Sequence, residues 1–166
     1  MKAFFKAKLV PIAVLLLIII IASILSPAFL SKANIENLFV QASTTMIISM
    51  AMLMVILSGG IDLSVGSVVA VSGILAAGLM QTLALGLSIV IAVTIGLAFG
   101  IVNGFIVSKF GIAPFIVTLG MQNFARGCAY WYCKSQPISW NSFPGAKIMY
   151  QLGSGRIAGI PILVII

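Results

Sequence analysis

The sequence contains no histidine and only two acidic residues, Glu36 and Asp62, against nine lysines and arginines. Without an imidazole, the Ser/His and Cys/His pairs of hydrolases are excluded, an intramembrane serine protease included. Cys128 and Cys133 alone cannot make a zinc or haem ligand set, and they read as small apolar residues near a helix end. No Gly-x-x-x-x-Gly-Lys-Ser/Thr segment occurs, so the chain cannot cradle ATP phosphates by itself. Charge of either sign is scarce, at 7% of residues against 62% hydrophobic. With a mean hydropathy of +1.29, the chain has too little polar surface for a soluble domain and reads as an integral membrane protein. The net charge of +7 is scattered between apolar runs with no aromatic-and-basic interleaving. The basic residues therefore read as headgroup anchors in contact with membrane lipid, and no nucleic-acid partner is expected.

What is present is a succession of apolar runs of membrane-spanning length, so the expected fold is all-α, a polytopic transmembrane helix bundle in a single domain. Spans are expected at residues 9–29, 38–57, 63–80, 84–107 and 112–133, with the start of a sixth at 158–166. Lys2, Lys6 and Lys8 ahead of the first span place the N-terminus in the cytoplasm by the positive-inside bias. A cleaved signal peptide is the rival there, with Ser26-Pro27-Ala28 as a weak cleavage site, but the apolar region is long and further spans follow. Ser31 to Asn37 reads as a short polar loop, Ser108 to Gly111 as a tight turn, and Lys134 to Arg156 as a polar loop. The nine-residue final run is too short to span, which suggests a sequence cut off within a helix. The third run admits two topologies. Either it crosses fully and leaves the 134–156 loop outside, or it is re-entrant and everything after it is inverted.

Between the second and third runs lies Ser58-Gly59-Gly60-Ile61-Asp62-Leu63-Ser64-Val65-Gly66. Gly59, Gly60 and Gly66 are candidates for a helix break. A carboxylate at bilayer depth costs roughly 2.5 to 3.5 kcal/mol on insertion scales, so Asp62 should face a partner or a cavity. Three roles stay open for it: a helix N-cap accepting from the backbone N–H of Ser64 or Val65, a substrate-path or gating residue, and a proton relay. Gly66, Ala70, Gly73 and Ala77 share one face of the third helix, and Gly96, Gly100 and Gly104 repeat along the fourth, spacings that let helix backbones approach closely. Gln41, Thr45 and Ser49 form a polar stripe on the second helix, and Thr118, Gln122 and Arg126 another on the fifth. These stripes serve either interhelical hydrogen bonding or the lining of a path for a hydrophilic, uncharged solute.

The run from Ser58 to Ser67, then Asn103-Gly104, Pro114 to Gly120, Arg126-Gly127, Leu152 to Arg156 and Gly159-Ile160-Pro161 resembles the permease subunit of bacterial sugar ABC importers of the ribose/galactoside/xylose type. The resemblance covers nearly the whole chain but only the N-terminal half of such a permease. It implies a non-enzymatic subunit of the bacterial inner membrane, without cofactors, that forms a sugar translocation pathway. The implied partners are a cytoplasmic ATP-binding subunit, a periplasmic sugar-binding protein and a second permease subunit. Asp62, Asn103, Thr118, Gln122 and Arg126 are the pathway or gating candidates. Two rivals remain: a truncated permease that inserts without transporting, and an ion-coupled secondary transporter, for which Asp62 is a thin supply of intramembrane carboxylate.

Overall fold

The computed structural model describes residues 2–139, 145–157 and 160–165. Among them the chain forms α1 (Lys2–Leu25), α2 (Lys32–Leu57), α3 (Val65–Leu79), α4 (Leu85–Phe110), α5 (Pro114–Cys133), α6 (Ala146–Ser154), β1 (Arg156–Ile157), β2 (Ile160–Pro161) and α7 (Ile162–Ile165). The all-helical expectation holds apart from the two-residue antiparallel hairpin, which pairs Arg156 with Pro161 and Ile157 with Ile160.

Several boundaries differ from the sequence reading for local reasons. α1 stops at Leu25 rather than Phe29, because the residue before Pro27 is pushed away from helical geometry. Ser31 to Asn37 is no loop. Ser31 is the N-cap of α2, its hydroxyl accepts from the Asn34 N–H at 3.3 Å, and the Asn34 side-chain amide donates to the Phe29 carbonyl at 2.7 Å. These bonds occupy donors and acceptors that a helix start leaves open, so the helix begins at Lys32. Ser108 to Phe110 likewise stay helical, and only Gly111, at φ +63°, takes the left-handed turn that ends α4. The 134–156 segment carries the amphipathic α6, whose Met149, Tyr150, Gly153 and Ser154 border a cleft against Ala76 and Ala77 of α3 and Met80 just after it. Within the expected start of a sixth span at 158–166, the described residues form β2 and the short α7, and residues 158, 159 and 166 lie outside the described set.

α3 is the centre of the packing. It lies against both α4 and α5, and Val71, Ala125 and Ala129 form a buried cluster lined by Val68, Ile74, Leu75, Phe99 and Cys128. Small residues on α5 bring the backbones close, as dispersion contact between membrane helices requires. At the far end of α3, a Cβ on Gly78 would run into the phenol of Tyr132, which would have to shift to admit it. At its near end, α3 starts beside Thr118. It therefore runs alongside α5 from the first turns of that helix to the last. By contrast α2 has no buried residue, and its main contacts are with β2 and α7.

Two helices among the described residues, α2 and α4, are long and apolar enough to cross a membrane. α3 has 15 residues and α5 has 20, the latter interrupted by Gln122, Asn123 and Arg126. Leucine in place of Ala125, which is fully buried, should overpack the α3–α5 contact and cost about 1–3 kcal/mol. Detergent-titrated unfolding in mixed micelles measures this, with Val90→Leu on the exposed face of α4 expected to match the parent.

Candidate functional site

The break between α2 and α3 is closed by hydrogen bonds from four parts of the chain. α2 ends in a Schellman motif: Gly59, at φ +85°, donates to the Ile56 carbonyl at 3.0 Å and Gly60 to the Val55 carbonyl at 3.1 Å. A Cβ on Gly60 would sit 3.4 Å from Pro114 at the start of α5, so the break is pressed directly onto that helix. The sequence reading of Gly59 and Gly60 as break residues matches this geometry. Gly66 does not belong to the break, since it is the second residue of α3.

Beyond the glycines the connector has lost its helical partners, and side chains replace them. The Leu63 N–H donates to Thr118 Oγ1 at 3.1 Å, while that hydroxyl lies 3.3 Å from the Ile61 carbonyl and 3.4 Å from the Phe115 carbonyl, either of which can take its proton. Asp62 Oδ1 accepts from the Ser64 N–H at 2.7 Å and from the Ser64 hydroxyl at 2.6 Å. The Asn103 side-chain amide of α4 then donates to Ser64 Oγ at 3.0 Å. Asp62, Asn103 and Thr118, chosen from the sequence as far apart as 56 positions, thus converge on one connector of seven residues, 58–64.

The expected N-cap role of Asp62 is corrected in detail. The cap residue of α3 is Ser64, and Asp62 holds that residue by closing an Asx turn two positions earlier. Its carboxylate also accepts from the Ser64 hydroxyl, and Ser64 makes no side-chain cap bond to its own helix. Ser64, which the sequence reading did not select, is the hub: it is 1% exposed and links Asp62 to Asn103. The Asp-x-Ser spacing was the available signal for it.

The remaining candidates lie apart. Gln122 and Arg126 share a helical stripe with Thr118 but sit one and two turns further along α5, half-buried and exposed respectively, and neither joins the network. Gln41, Thr45 and Ser49 are exposed, with the Thr45 hydroxyl bonded back to the Gln41 carbonyl at 2.8 Å. Of the expected packing glycines, Gly96 meets Ser72 of α3, whose hydroxyl would lie 3.3 Å from an added Cβ. Gly100 and Gly104, like Gly66 and Gly73, have no neighbour within that reach, because α3 leans on α4 along another line. Among the described residues, the buried Asn103 Oδ1, Ser67 Oγ and Ser72 Oγ have no hydrogen-bond partner.

Removing the Thr118 hydroxyl leaves the Leu63 N–H unsatisfied away from water, at an expected cost of about 1–3 kcal/mol for Thr118→Val. Thr118→Ser should stay close to the parent, and limited proteolysis at the 58–64 connector reads the difference.

Comparison with known proteins follows the same lines. A family model described as branched-chain amino acid transport system / permease component matches residues 34–166. The chain is 38% identical over 149 residues to the ribose import permease protein RbsC of Haemophilus influenzae, covering 89% of this chain and 46% of that protein. It is 39% identical over 160 residues to the Bacillus subtilis ribose import permease, covering 93% and 48%. It is 36% identical over 158 residues to the D-allose transport system permease protein AlsC of Escherichia coli, covering 92% and 46%. The chain thus spans about half the length of the curated relatives it matches. Comparison with solved structures gives no match. The resemblance carried by Ser58 to Ser67 and the later motifs is borne out, and the chain belongs to the permease-component family described for branched-chain amino acid transport systems, within reach of relatives named as sugar import permeases.

Proposed function

We propose that this chain forms part of the translocation pathway of an ABC importer for sugars or similar uncharged polyols, with the connector at residues 58–64 as its gate element. The observation that carries the proposal is the convergence of Asp62, Ser64, Asn103 and Thr118 on that connector. Asn103 lies about 10 Å from the Phe110 end of α4 and Thr118 about 6 Å from the Pro114 end of α5, at 1.5 Å per residue. With about 30 Å of hydrocarbon centred on α4, the network falls inside the membrane. Irregular backbone is tolerated at that depth where protein surrounds it or water reaches it.

In this reading the N-terminus is cytoplasmic, and the chain crosses five times before the C-terminal hairpin. α3 together with its connector makes a full crossing, since it follows α5 from end to end, and α6 then lies on the outer side. Tyr130 and Trp131, both exposed at the end of α5, suit the outer interface belt. The subunit performs no chemistry itself. A cytoplasmic ATP-binding subunit supplies the energy, a periplasmic binding protein delivers the sugar, and a second permease subunit completes the pathway. Asp62 acts through the hydrogen bonds that hold Ser64, and this favours a gating role over proton relay. Gln122 and Arg126 remain pathway candidates along the same face of α5.

Energised membranes carrying the permease with its ATPase and binding protein should take up labelled ribose after a protonophore and stop on ATP depletion. Persistence in the opposite pattern overturns the ABC reading in favour of ion coupling. Asp62→Asn should keep expression and lower uptake about tenfold, the equivalent of one charge-assisted hydrogen bond. Unchanged uptake would sink an essential role for that carboxylate.

A further inference from the structure

The geometry points to a latch at the other end of α2, made by Glu36 and Arg156, that holds this helix against the C-terminal hairpin and releases it to pivot on Gly59 and Gly60. Arg156 Nη2 of β1 lies 2.5 Å from Glu36 Oε2 in the second turn of α2, joining positions far apart in sequence. The Glu36 side chain is 14% exposed, and it is one of two acids in a chain of net charge +7. A partly buried carboxylate of this kind depends on its cation, because the surrounding apolar wall offers no substitute for water.

Three further features make the pair a latch rather than a fixed strut. First, the contact beneath it is partly open: a recess of about 570 Å³ is bordered by Ile35, Glu36 and Phe39 of α2 and by Ile160, Pro161 and Val164, beside the places where α2 touches β2 and α7. Second, α2 buries no residue along its length, and the elements of this chain it mainly touches are β2 and α7. Its lower end is the Schellman turn with Gly59 at φ +85°, a place where the chain can change direction at small cost. Third, Lys32 stands four residues before Glu36 on the same helix and borders the same cavity. It offers the carboxylate a replacement partner when Arg156 withdraws, so opening leaves no bare charge. Closed, Glu36 is paired across to the hairpin; open, it is paired within α2. As a gate for solute on the outer side, the latch rests on the transport reading above, but the pairing itself stands on the geometry alone.

The test uses Ile35→Cys as reporter, in a chain with Cys128→Ser and Cys133→Ser, labelled in membranes by a water-soluble maleimide. Glu36→Gln and Arg156→Gln should each raise the labelling rate about fivefold and Lys32→Gln lower it about twofold, while the exchanged pair E36R/R156E returns within about twofold of the parent. Single variants that label like the parent, or an exchanged pair that labels as fast as the singles, overturn the latch. Arg156→Gln and the exchanged pair keep the test open should Glu36→Gln fail to insert. Uptake of labelled ribose by the same variants in the assembled importer separates the two proposals. Rescued labelling without any uptake sinks transport and keeps the latch, and uptake indifferent to unrescued labelling does the reverse.

Discussion

A polypeptide that leaves its helix inside a hydrocarbon layer must find protein partners for every backbone group it frees, because lipid supplies none. In the proposed transport reading, the connector between α2 and α3 answers that requirement. Its glycines turn N–H groups back onto α2, its own aspartate takes the N–H and hydroxyl of Ser64, and Thr118 of α5 serves Leu63. The glycine turn and the Asp62 turn are local, while Thr118 of α5 and Asn103 of α4 complete the break from distant parts of the chain. The remaining structure can be understood as the arrangement that brings those pieces together.

Packing follows from the same demand. α3 must lie close to both neighbours for Asn103 and Thr118 to reach the connector, and Ala125, Ala129 and Gly78 provide the room. Its buried polar side chains, Ser64 and Ser67 beside Asn103, place hydroxyls and amides in a low-dielectric interface where a met hydrogen bond holds firmly and an unmet one weakens the packing. α1 and α2 show the opposite pattern. Leu15, Leu16 and Ile18 on the first, and Met46, Met50 and Met54 on the second, remain widely exposed, surfaces matched to acyl chains or to other protein within the membrane.

Much of this was readable from residue types. The apolar runs gave the helices, the two glycines gave the break, and Pro114 was placed correctly in the first turn of α5 because its missing N–H has no helical use there. The selection of Asp62, Asn103 and Thr118 found three of the four members of one network. What the sequence concealed was long-range. Ser31 and Asn34 looked like loop residues until their side chains were seen satisfying the start of α2, and Ser64 looked like one more small residue in a motif. Of the glycine repeat on α4, Gly96 alone meets α3 within this chain: spacing shows which residues share a face, and the crossing line of the neighbour decides which of them is used. Glu36 and Arg156 sit in segments that read as separate loops, and no local pattern announces that they meet.

The bond from Leu63 to Thr118 spans 55 positions in the sequence. A ribosome adding roughly 5–20 residues per second needs about 3 to 11 seconds to make that stretch. During this interval the α2–α3 break has left the ribosome while its partner on α5 does not yet exist. Until Thr118 is made, the Leu63 N–H lacks the hydroxyl that serves it in the folded chain. The entry to the third helix is thus completed by a residue synthesised well after it.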